Sequence, residues 1–220
     1  MRDVTPPPLE IERRGPMARF TGSRVKRMRS LGVDLPGLSR KTMSLRPYPP
    51  GEHGGDGRRR KDSDYGRQLK EKQKLRYNYG VGERQLRRLV SKARSSREET
   101  GKKIVELLER RLDNAVFRAG FAPTIPAARQ LVNHGHFLVN GRKTDVASFC
   151  VSSGDVIKLR EKSKSLAVVE ESLGNLNLPR PEWIDFDAGE KQATISGLPE
   201  ESSVPELNIQ FVVEYYARLI

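Results

Sequence analysis

The sequence predicts an α+β protein in which helices come first and a small antiparallel sheet follows. Apolar residues recur at spacings of three and four over residues 83–95 and again over 104–120, which is typical of helices that bury one face. Further along, Asn140 and Gly141 separate a short apolar run from a basic one, and this pair favours a two-residue hairpin turn. These patterns indicate a mostly helical part followed by a smaller module of helices and strands.

The N-terminal quarter of the chain predicts little regular structure. Residues 1–16 contain three consecutive prolines and no apolar periodicity, so we expect a disordered extension. Residues 18–61 are rich in Arg, Gly and Pro and poor in apolar side chains, which predicts an arm that becomes ordered against a partner. The segment GEHGGDG lacks the Gly-Lys-Ser/Thr ending of a nucleotide-binding loop, and no apolar strand precedes it.

Three helices are predicted after this arm. Asp64 is placed to cap a helix from Tyr65 to Tyr79, and the glycine that follows is placed to end it. A second helix is expected over 83–95, with basic residues on the faces away from its apolar stripe. These basic residues are Arg84, Arg87, Arg88, Lys92 and Arg94. The apolar stripe from Ile104 to Gly120 predicts a third, continuous helix.

The smaller module is predicted to combine two short helices with an antiparallel sheet. Thr124 is the expected N-cap of its second helix, with Pro126 in the first turn and residues 133–135 at the end. Strands are expected at 136–139, 148–151 and 156–160, with turns at Asn140-Gly141 and at the segment SSGD. Arg129, Arg142 and Lys143 are then expected to share one face.

The distribution of charge indicates the chemical class of the partner. The formal net charge is +13, and residues 13–97 hold 25 Lys and Arg against 7 Asp and Glu. Residues 98–220 hold 15 against 18, and the last 56 residues hold only 3 against 10. An excess gathered in one half of the chain favours a phosphate polyanion. Membrane binding requires large apolar side chains opposite the charges, and the helical segment SDYGRQLKEKQKLRYNYG has too few of them. Nucleic acid is therefore the favoured partner.

Composition also excludes several classes of protein. The single cysteine, Cys150, rules out an internal disulfide framework and fits a reducing compartment. His134 and His136 have no nearby thiol or carboxylate set, so we expect neither a metal site nor a cofactor. The absence of a long apolar run and of a signal-peptide core predicts a soluble, non-secreted protein.

The later part of the chain resembles a known RNA-binding module. The segments RRLDNAVFRAGFAPTIPAARQLVNHGHFLVNGRKT and SSGDVIKLREKS resemble the module named after ribosomal protein S4, which also occurs in pseudouridine synthases and tyrosyl-tRNA synthetases. The flanking segments MARFTGSRVKRMRSLGVDL, PPGEHGGDGRRRKDSDYGRQLKEKQKLRYNYGVGERQLRRLVSKA and PEWIDFDAG resemble the bacterial or organellar ribosomal S4 family itself. The resemblance runs from about residue 17 to the C-terminus.

The resemblance implies a fold, a function and a set of partners. Beyond the disordered extension expected at 1–16, it implies a basic arm and helical domain at 17–103, an inserted RNA-binding module at 104–164, and an acidic segment at 165–220 that packs back on the helical domain. The implied function is non-catalytic: direct, early binding of small-subunit ribosomal RNA at a junction in its five-prime domain, which nucleates assembly of the body. It further implies contact with ribosomal protein S5, proximity to the messenger RNA entry path, an influence on decoding accuracy, and residence on a cytoplasmic or organellar ribosome.

The resemblance also implies three groups of RNA-contacting residues. In the arm they are Arg19, Arg24, Lys26, Arg27, Arg40, Lys41, Arg46, His53 and Lys61. In the first long helix they are Lys70, Lys72 and Lys74. In the module they are Arg111, Arg118, Arg129, Gln130, His134, Asn140, Arg142 and Lys143. Such side chains mainly bind phosphate, so we expect most contacts to position the RNA and specificity to come from its shape.

Two departures from the family pattern and two alternative functions remain. Many relatives bind zinc through cysteines in the arm, which this chain lacks, and Ile125 occupies a position where Arg is common.

An RNA-modifying or tRNA-charging enzyme that uses the module as an accessory would need a separate catalytic domain of about 150 residues. A helix-turn-helix transcription factor would gather its positive charge on one recognition helix, whereas the charge here is predicted to be spread.

Overall fold

The structure, a computed structural model, describes residues 22–55, 62–199 and 201–218. Within these ranges the chain forms α1 Arg24–Leu31, α2 Asp64–Asn78, α3 Glu83–Arg94, α4 Thr100–Glu109, α5 Leu112–Arg118, α6 Ile125–Asn133, α7 Ala167–Gly174 and α8 Ile209–Ala217. The strands are β1 Phe137–Val139, β2 Arg142–Lys143, β3 Val156–Leu159, β4 Ile184–Asp187 and β5 Gln192–Ile195. They form one antiparallel sheet in the order β2-β1-β3-β5-β4. The predicted α+β class is confirmed, and the extension at 1–16 lies outside the described residues.

Helix α2 begins one residue before the predicted start. Its N-cap is Ser63, whose side chain accepts a hydrogen bond from the backbone N–H of Gly66 at 3.1 Å, so the assignment of the cap to Asp64 was wrong. Asp64 instead lies in the first turn and forms an ion pair with Arg67. Gly80 follows the helix with φ +58°, as expected for a residue that ends one. Helix α3 matches its prediction to within one residue.

The predicted continuous helix over 104–120 is divided into α4 and α5. Arg111 is extended, with φ −66° and ψ 138°, and pairs with Cys150 in an isolated β-bridge. Backbone hydrogen bonds join Leu112 N–H to the carbonyl of Phe149 and Val151 N–H to the carbonyl of Arg110, each at 2.8 Å. This pairing with a distant loop takes the place of helical hydrogen bonds. The strand predicted at 148–151 is reduced to this single bridge.

The small module otherwise forms as predicted. The Thr124 hydroxyl caps α6, and the residues of the hairpin turn, Asn140 and Gly141, have φ of +50° and +77°. Strand β1 therefore pairs with β2 on one side and with β3 on the other. Behind the sheet, the Phe121 ring contacts Phe137 and Phe186 edge-on, with centroids 5.4 and 5.5 Å apart. Phe186 belongs to β4, so the C-terminal segment contributes to the core of the module.

The acidic C-terminal segment contacts both parts of the molecule. The β4–β5 hairpin, which the sequence analysis did not anticipate, extends the sheet by pairing β5 with β3. Helix α8 packs against α2, α3 and α4, and buried Tyr216 donates a hydrogen bond from its hydroxyl to Glu83 at 2.7 Å. The two parts therefore share one continuous hydrophobic core. None of the helices in the described ranges combines the length and the apolar character that a bilayer span requires.

Candidate nucleic-acid interface

The outward surface of the module is formed by the hairpin and the end of α6. Arg142 and Lys143 form the edge strand β2, and both are exposed. The stem of Lys143 lies over Gly135, so closely that a Cβ atom at this position would clash with Cε of the lysine. Gln130 and His134 are also exposed at the C-terminal end of α6. We call these four residues, Gln130, His134, Arg142 and Lys143, the module face.

Asn140 is exposed but is engaged by the protein. Its Nδ2 atom donates to Asp155 at 2.8 Å, and its Oδ1 atom accepts from the backbone N–H of Val156 at 2.9 Å. The side chain therefore joins the hairpin turn to the start of β3.

His136 lies behind the module face, and its Nδ1 atom is 2.9 Å from the Ser163 hydroxyl. Burial, and to a smaller extent the nearby charges of His134 and Arg160, lowers the pKa of His136. His136 is consequently held neutral behind the module face at neutral pH.

Two arginines predicted to contact RNA point into the protein. The carboxylate of Asp113 is fully buried and accepts hydrogen bonds from Arg111 Nη2 at 2.9 Å and from Arg129 Nη2 at 2.6 Å. Arg129 also donates to the backbone carbonyls of Tyr79 at 3.0 Å and Gly80 at 2.7 Å. A guanidinium at this position satisfies the terminal carbonyls of α2 and complements the negative end of its dipole. Arg129 thus ties the module to the helical part.

Arg118 points inward as well, toward the fully buried carboxylate of Glu109. Its Nε atom lies 3.9 Å from Glu109 Oε2, and the side chain is 12% exposed. Glu109 also accepts hydrogen bonds from the Tyr79 hydroxyl, from Asn114 Nδ2 at 2.6 Å and from the backbone N–H of Ser203 at 2.8 Å. Burial, and then the adjacent carboxylate, raises the pKa of Tyr79 far above its ordinary value, so Tyr79 remains a donor. This cluster joins α2, α4, α5 and the loop before α8.

The three lysines of α2 are all paired with carboxylates. Lys72 is 6% exposed; its Nζ atom lies 3.0 Å from Glu83 and 4.8 Å from the centroid of the Tyr215 ring. Lys74 is 11% exposed and lies 2.7 Å from Glu71. Lys70 pairs with Asp62 at the surface. Lys72 and Lys74 therefore hold the helical part together.

The residues of the N-terminal arm divide in a similar way. Arg40 forms an ion pair with Glu171 at 2.9 Å, and Arg24 donates to the carbonyl of Leu38 at 3.2 Å. The Arg27 guanidinium lies 5.4 Å from the centroid of the Tyr77 ring. The exposed predicted residues of the arm are Arg24, Lys26, Arg27, Arg40, Lys41, Arg46 and His53. Arg19 and Lys61 lie outside the described residues.

Helix α3 presents cations that the sequence analysis described as a basic surface but did not assign to RNA. Arg84, Arg87, Arg88, Lys92 and Arg94 are all exposed, whereas the opposite side of the helix is buried through Leu86, Val90 and Ala93. The signal that identifies them is the spacing of the cations, which follows the helical repeat opposite the apolar stripe.

In the described ranges, no three His, Cys, Asp or Glu side chains are grouped as metal ligands.

Comparison with known proteins identifies the family. Residues 19–109 match the model of the ribosomal protein S4/S9 N-terminal domain, and residues 110–157 match the S4 domain. A small ribosomal subunit protein uS4 from Methylobacillus flagellatus is 55% identical over 202 residues, which is 91% of this chain and 98% of the relative. A uS4B protein from Nitrosomonas europaea is 54% identical with the same coverage, and a uS4 protein from Parasynechococcus marenigrum is 50% identical over 93% of this chain and its own full length. The chain belongs to the uS4 family of small ribosomal subunit proteins.

Proposed function

We propose that this protein is a structural, non-catalytic constituent of the small ribosomal subunit that binds ribosomal RNA directly. Support comes from its relatives, which carry the name of a small-subunit ribosomal protein and match more than nine-tenths of the chain. The observation that carries RNA binding is the module face, where Arg142 and Lys143 stand exposed on a rigid edge strand beside Gln130 and His134. Cations at such a position bind phosphate oxygens without having to be ordered first.

The cations predicted to contact RNA serve two roles in this proposal. Among the exposed ones, those that bind phosphates are Lys26, Lys41, Arg46, Arg142 and Lys143. Those that are paired with buried or half-buried carboxylates position the RNA-binding surface: Lys72, Lys74, Arg111, Arg118 and Arg129. The second group adds little to the salt dependence of RNA binding, because each cation already has a carboxylate partner.

The finer part of the proposal concerns the place of binding. We assign the protein to a helix junction in the five-prime domain of small-subunit ribosomal RNA, where early binding nucleates assembly of the body. Contact with ribosomal protein S5, proximity to the messenger RNA entry path and an influence on decoding accuracy belong to the same proposal. Their support is the family resemblance. The predominance of lysine and arginine among the proposed contact residues also favours recognition of junction shape over base sequence.

The alternative of an RNA-modifying enzyme with an accessory module finds no support in the described part of the chain. The helical part and the module share one hydrophobic core, which leaves no separate catalytic unit in these ranges. The relatives that match this chain over nearly their whole length are named as ribosomal proteins. A structural role is therefore the function that the fold and the family favour.

The test is binding of the purified protein to a folded five-prime-domain transcript across a salt series, with excess unrelated duplex RNA as competitor. We expect tight binding to persist in the competition, because junction shape distinguishes the transcript from plain duplex. Loss of binding in the presence of the competitor would reduce the protein to a generic basic RNA binder and overturn the proposed function.

A further inference from the structure

Helix α3 carries an exposed cationic surface that the module face does not explain. Its outward residues are Arg84, Arg87, Arg88, Lys92 and Arg94, which we call the α3 face. We propose that the α3 face is a further RNA-binding surface that contacts phosphate groups of the same ribosomal RNA. This inference rests on the proposed function and adds a contact region to those of the module face and the N-terminal arm.

The residues of the α3 face project from one side of the helix. At 100° per residue, Arg84, Arg87, Arg88, Lys92 and Arg94 fall within about half of the circumference. The buried residues Leu86, Val90 and Ala93 occupy the other half, where α4 and α8 pack. Arg88 and Lys92 are one turn apart, so their charges follow each other along the helix axis.

Four cations of the α3 face are without ion pairs in the described part of the chain. Within the described ranges, no carboxylate forms an ion pair with Arg87, Arg88, Lys92 or Arg94. The one acidic residue of the helix, Glu83, is turned toward the interior, where Lys72 and the hydroxyl of Tyr216 bind it. Four like charges without counter-charges destabilise a helix modestly, and a bound polyanion removes that repulsion.

The backbone that carries these cations is fixed before any partner binds. The apolar stripe of α3 packs on α4, and the hydrogen bonds to Glu83 join the first turn of the helix to α2 and α8. Only side-chain freedom is lost when phosphates bind to such a helix, which lowers the entropic cost of association.

The composition of the face favours RNA over a membrane surface or a protein partner. Among the cations lie the exposed side chains of Gln85 and Ser91, which can donate hydrogen bonds to phosphate or ribose oxygens. No exposed large hydrophobic residue belongs to this helix in the described structure, whereas a membrane surface would require one to insert and a protein interface would be centred on one. Arginine predominates among the cations and matches phosphate geometry through two parallel hydrogen bonds.

The proposal is tested by the double variant Arg88→Gln, Lys92→Gln. Its control is Arg67→Gln, Lys102→Gln, which removes the same net charge from exposed cations that already pair with Asp64 and Glu99. Binding to the five-prime-domain transcript is measured across a salt series for the parent and both variants. We expect the α3 variant to reduce the slope of log K against log salt by about 1.4 to 1.8, and the control to change it far less.

A second measurement detects contact without relying on affinity. An iron-chelate probe attached to Ser91→Cys in a Cys150→Ser background lies at the middle of the α3 face, and it should cleave the bound transcript. The Cys150→Ser protein without the new cysteine gives the background, since the natural thiol is exposed.

The outcomes separate the failure of this inference from failure of the proposed function. If the parent protein itself loses the transcript to competitor RNA, the proposed function fails. If the parent binds specifically but the α3 variant behaves like its control and the probe cuts nothing above background, only the α3 inference fails. An α3 variant that binds the transcript normally yet does not enter reconstituted subunits would show that a protein covers this face, which also overturns the inference.

Discussion

Helices α2 and α3 are neighbours in the chain, and each carries five Lys or Arg residues, yet the two helices direct these charges differently. In α2, four of the five pair with carboxylates, and two of those pairs are largely buried. In α3 all five side chains are exposed. The difference follows from the surroundings of each helix, because the carboxylates that pair with the cations of α2 come from α2 itself, from Asp62 just before it and from Glu83 at the start of α3. Basic sequence therefore does not identify an RNA surface until the partners of each cation are known.

The largest expected effect comes from removing the carboxylate that holds the end of α2 to the module. In Asp113→Asn, Arg111 and Arg129 lose their buried counter-charge, and Arg129 is no longer oriented toward the carbonyls of Tyr79 and Gly80. We expect the free energy of unfolding to fall by about 3–5 kcal/mol, measured by urea denaturation. The control is Asp145→Asn, an exposed aspartate of the same module, which should change it by less than about 0.5 kcal/mol. Equal effects of the two variants would contradict the structural role of Arg129.

This inward use of Arg129 shows where sequence reasoning reaches its limit. Local patterns suffice for the helix periods, the Thr124 cap and the Asn140-Gly141 turn, because these depend on residues within a few positions of each other. The partner of Arg129 lies on another helix, 16 residues away, and single-sequence patterns do not reveal that pairing. The exposed residues of the module face were predicted and stand outward, while the roles of Arg111, Arg118, Lys72 and Lys74 depend on tertiary contacts.

The division of the predicted helix at 104–120 has the same cause. Leu108 and Leu112 are both fully buried, so the apolar stripe continues through the break and gives no local sign of it. The break is imposed by backbone pairing of residues 110–112 with 149–151, which is a long-range contact. The β4–β5 hairpin was missed for a related reason, since its strands are four residues each and join the sheet only through β3.

The next prediction compares one lysine from each helix. Lys72→Met should reduce the free energy of unfolding by about 2 kcal/mol, because it removes the cation from Glu83 in a site where the lysine side chain is only 6% exposed. Lys92→Met on the exposed side of α3 should stay within about 0.5 kcal/mol of the parent. Urea denaturation of both variants provides the measurement. A similar loss in both would mean that α3 uses its cations as α2 does.

A third prediction concerns the exposed cations of the module face. Arg142→Ala with Lys143→Ala should lower the slope of log K against log salt for the five-prime-domain transcript by about 1.4 to 1.8. Affinity should fall about tenfold, which corresponds to about 1.4 kcal/mol. The control Arg67→Gln, Lys102→Gln removes equal charge from ion-paired positions. An unchanged slope, with a thermal melting curve equal to that of the parent, would exclude these two residues as phosphate contacts.

The smallest expected effect is a pH dependence that belongs to the interior side of α3. Burial alone raises the pKa of Glu83, but hydrogen bonds from Tyr216 and Lys72 outweigh it, and the pKa lies below the ordinary 4.5. A carboxyl group with a lower pKa in the folded state contributes stability above its unfolded pKa and loses it as the pH falls through the folded value. Stability from Glu83 should therefore be constant near neutral pH and decline below about pH 4.5.

Comparison of the parent with Glu83→Gln isolates this contribution, since other carboxylates titrate equally in both. We expect the difference in the free energy of unfolding between the two proteins to shrink from about pH 6 to about pH 3, as measured by urea denaturation at each pH. Lys72→Met should also lose less stability on acidification than the parent, because it has already lost one of the two donors to Glu83. Lys92→Met should keep the acid sensitivity of the parent, because Lys92 lies on the exposed side of α3, away from Glu83. If Lys92→Met instead lost acid sensitivity as Lys72→Met does, the two sides of α3 would not be electrostatically separate, and the contrast between the helices would have to be abandoned.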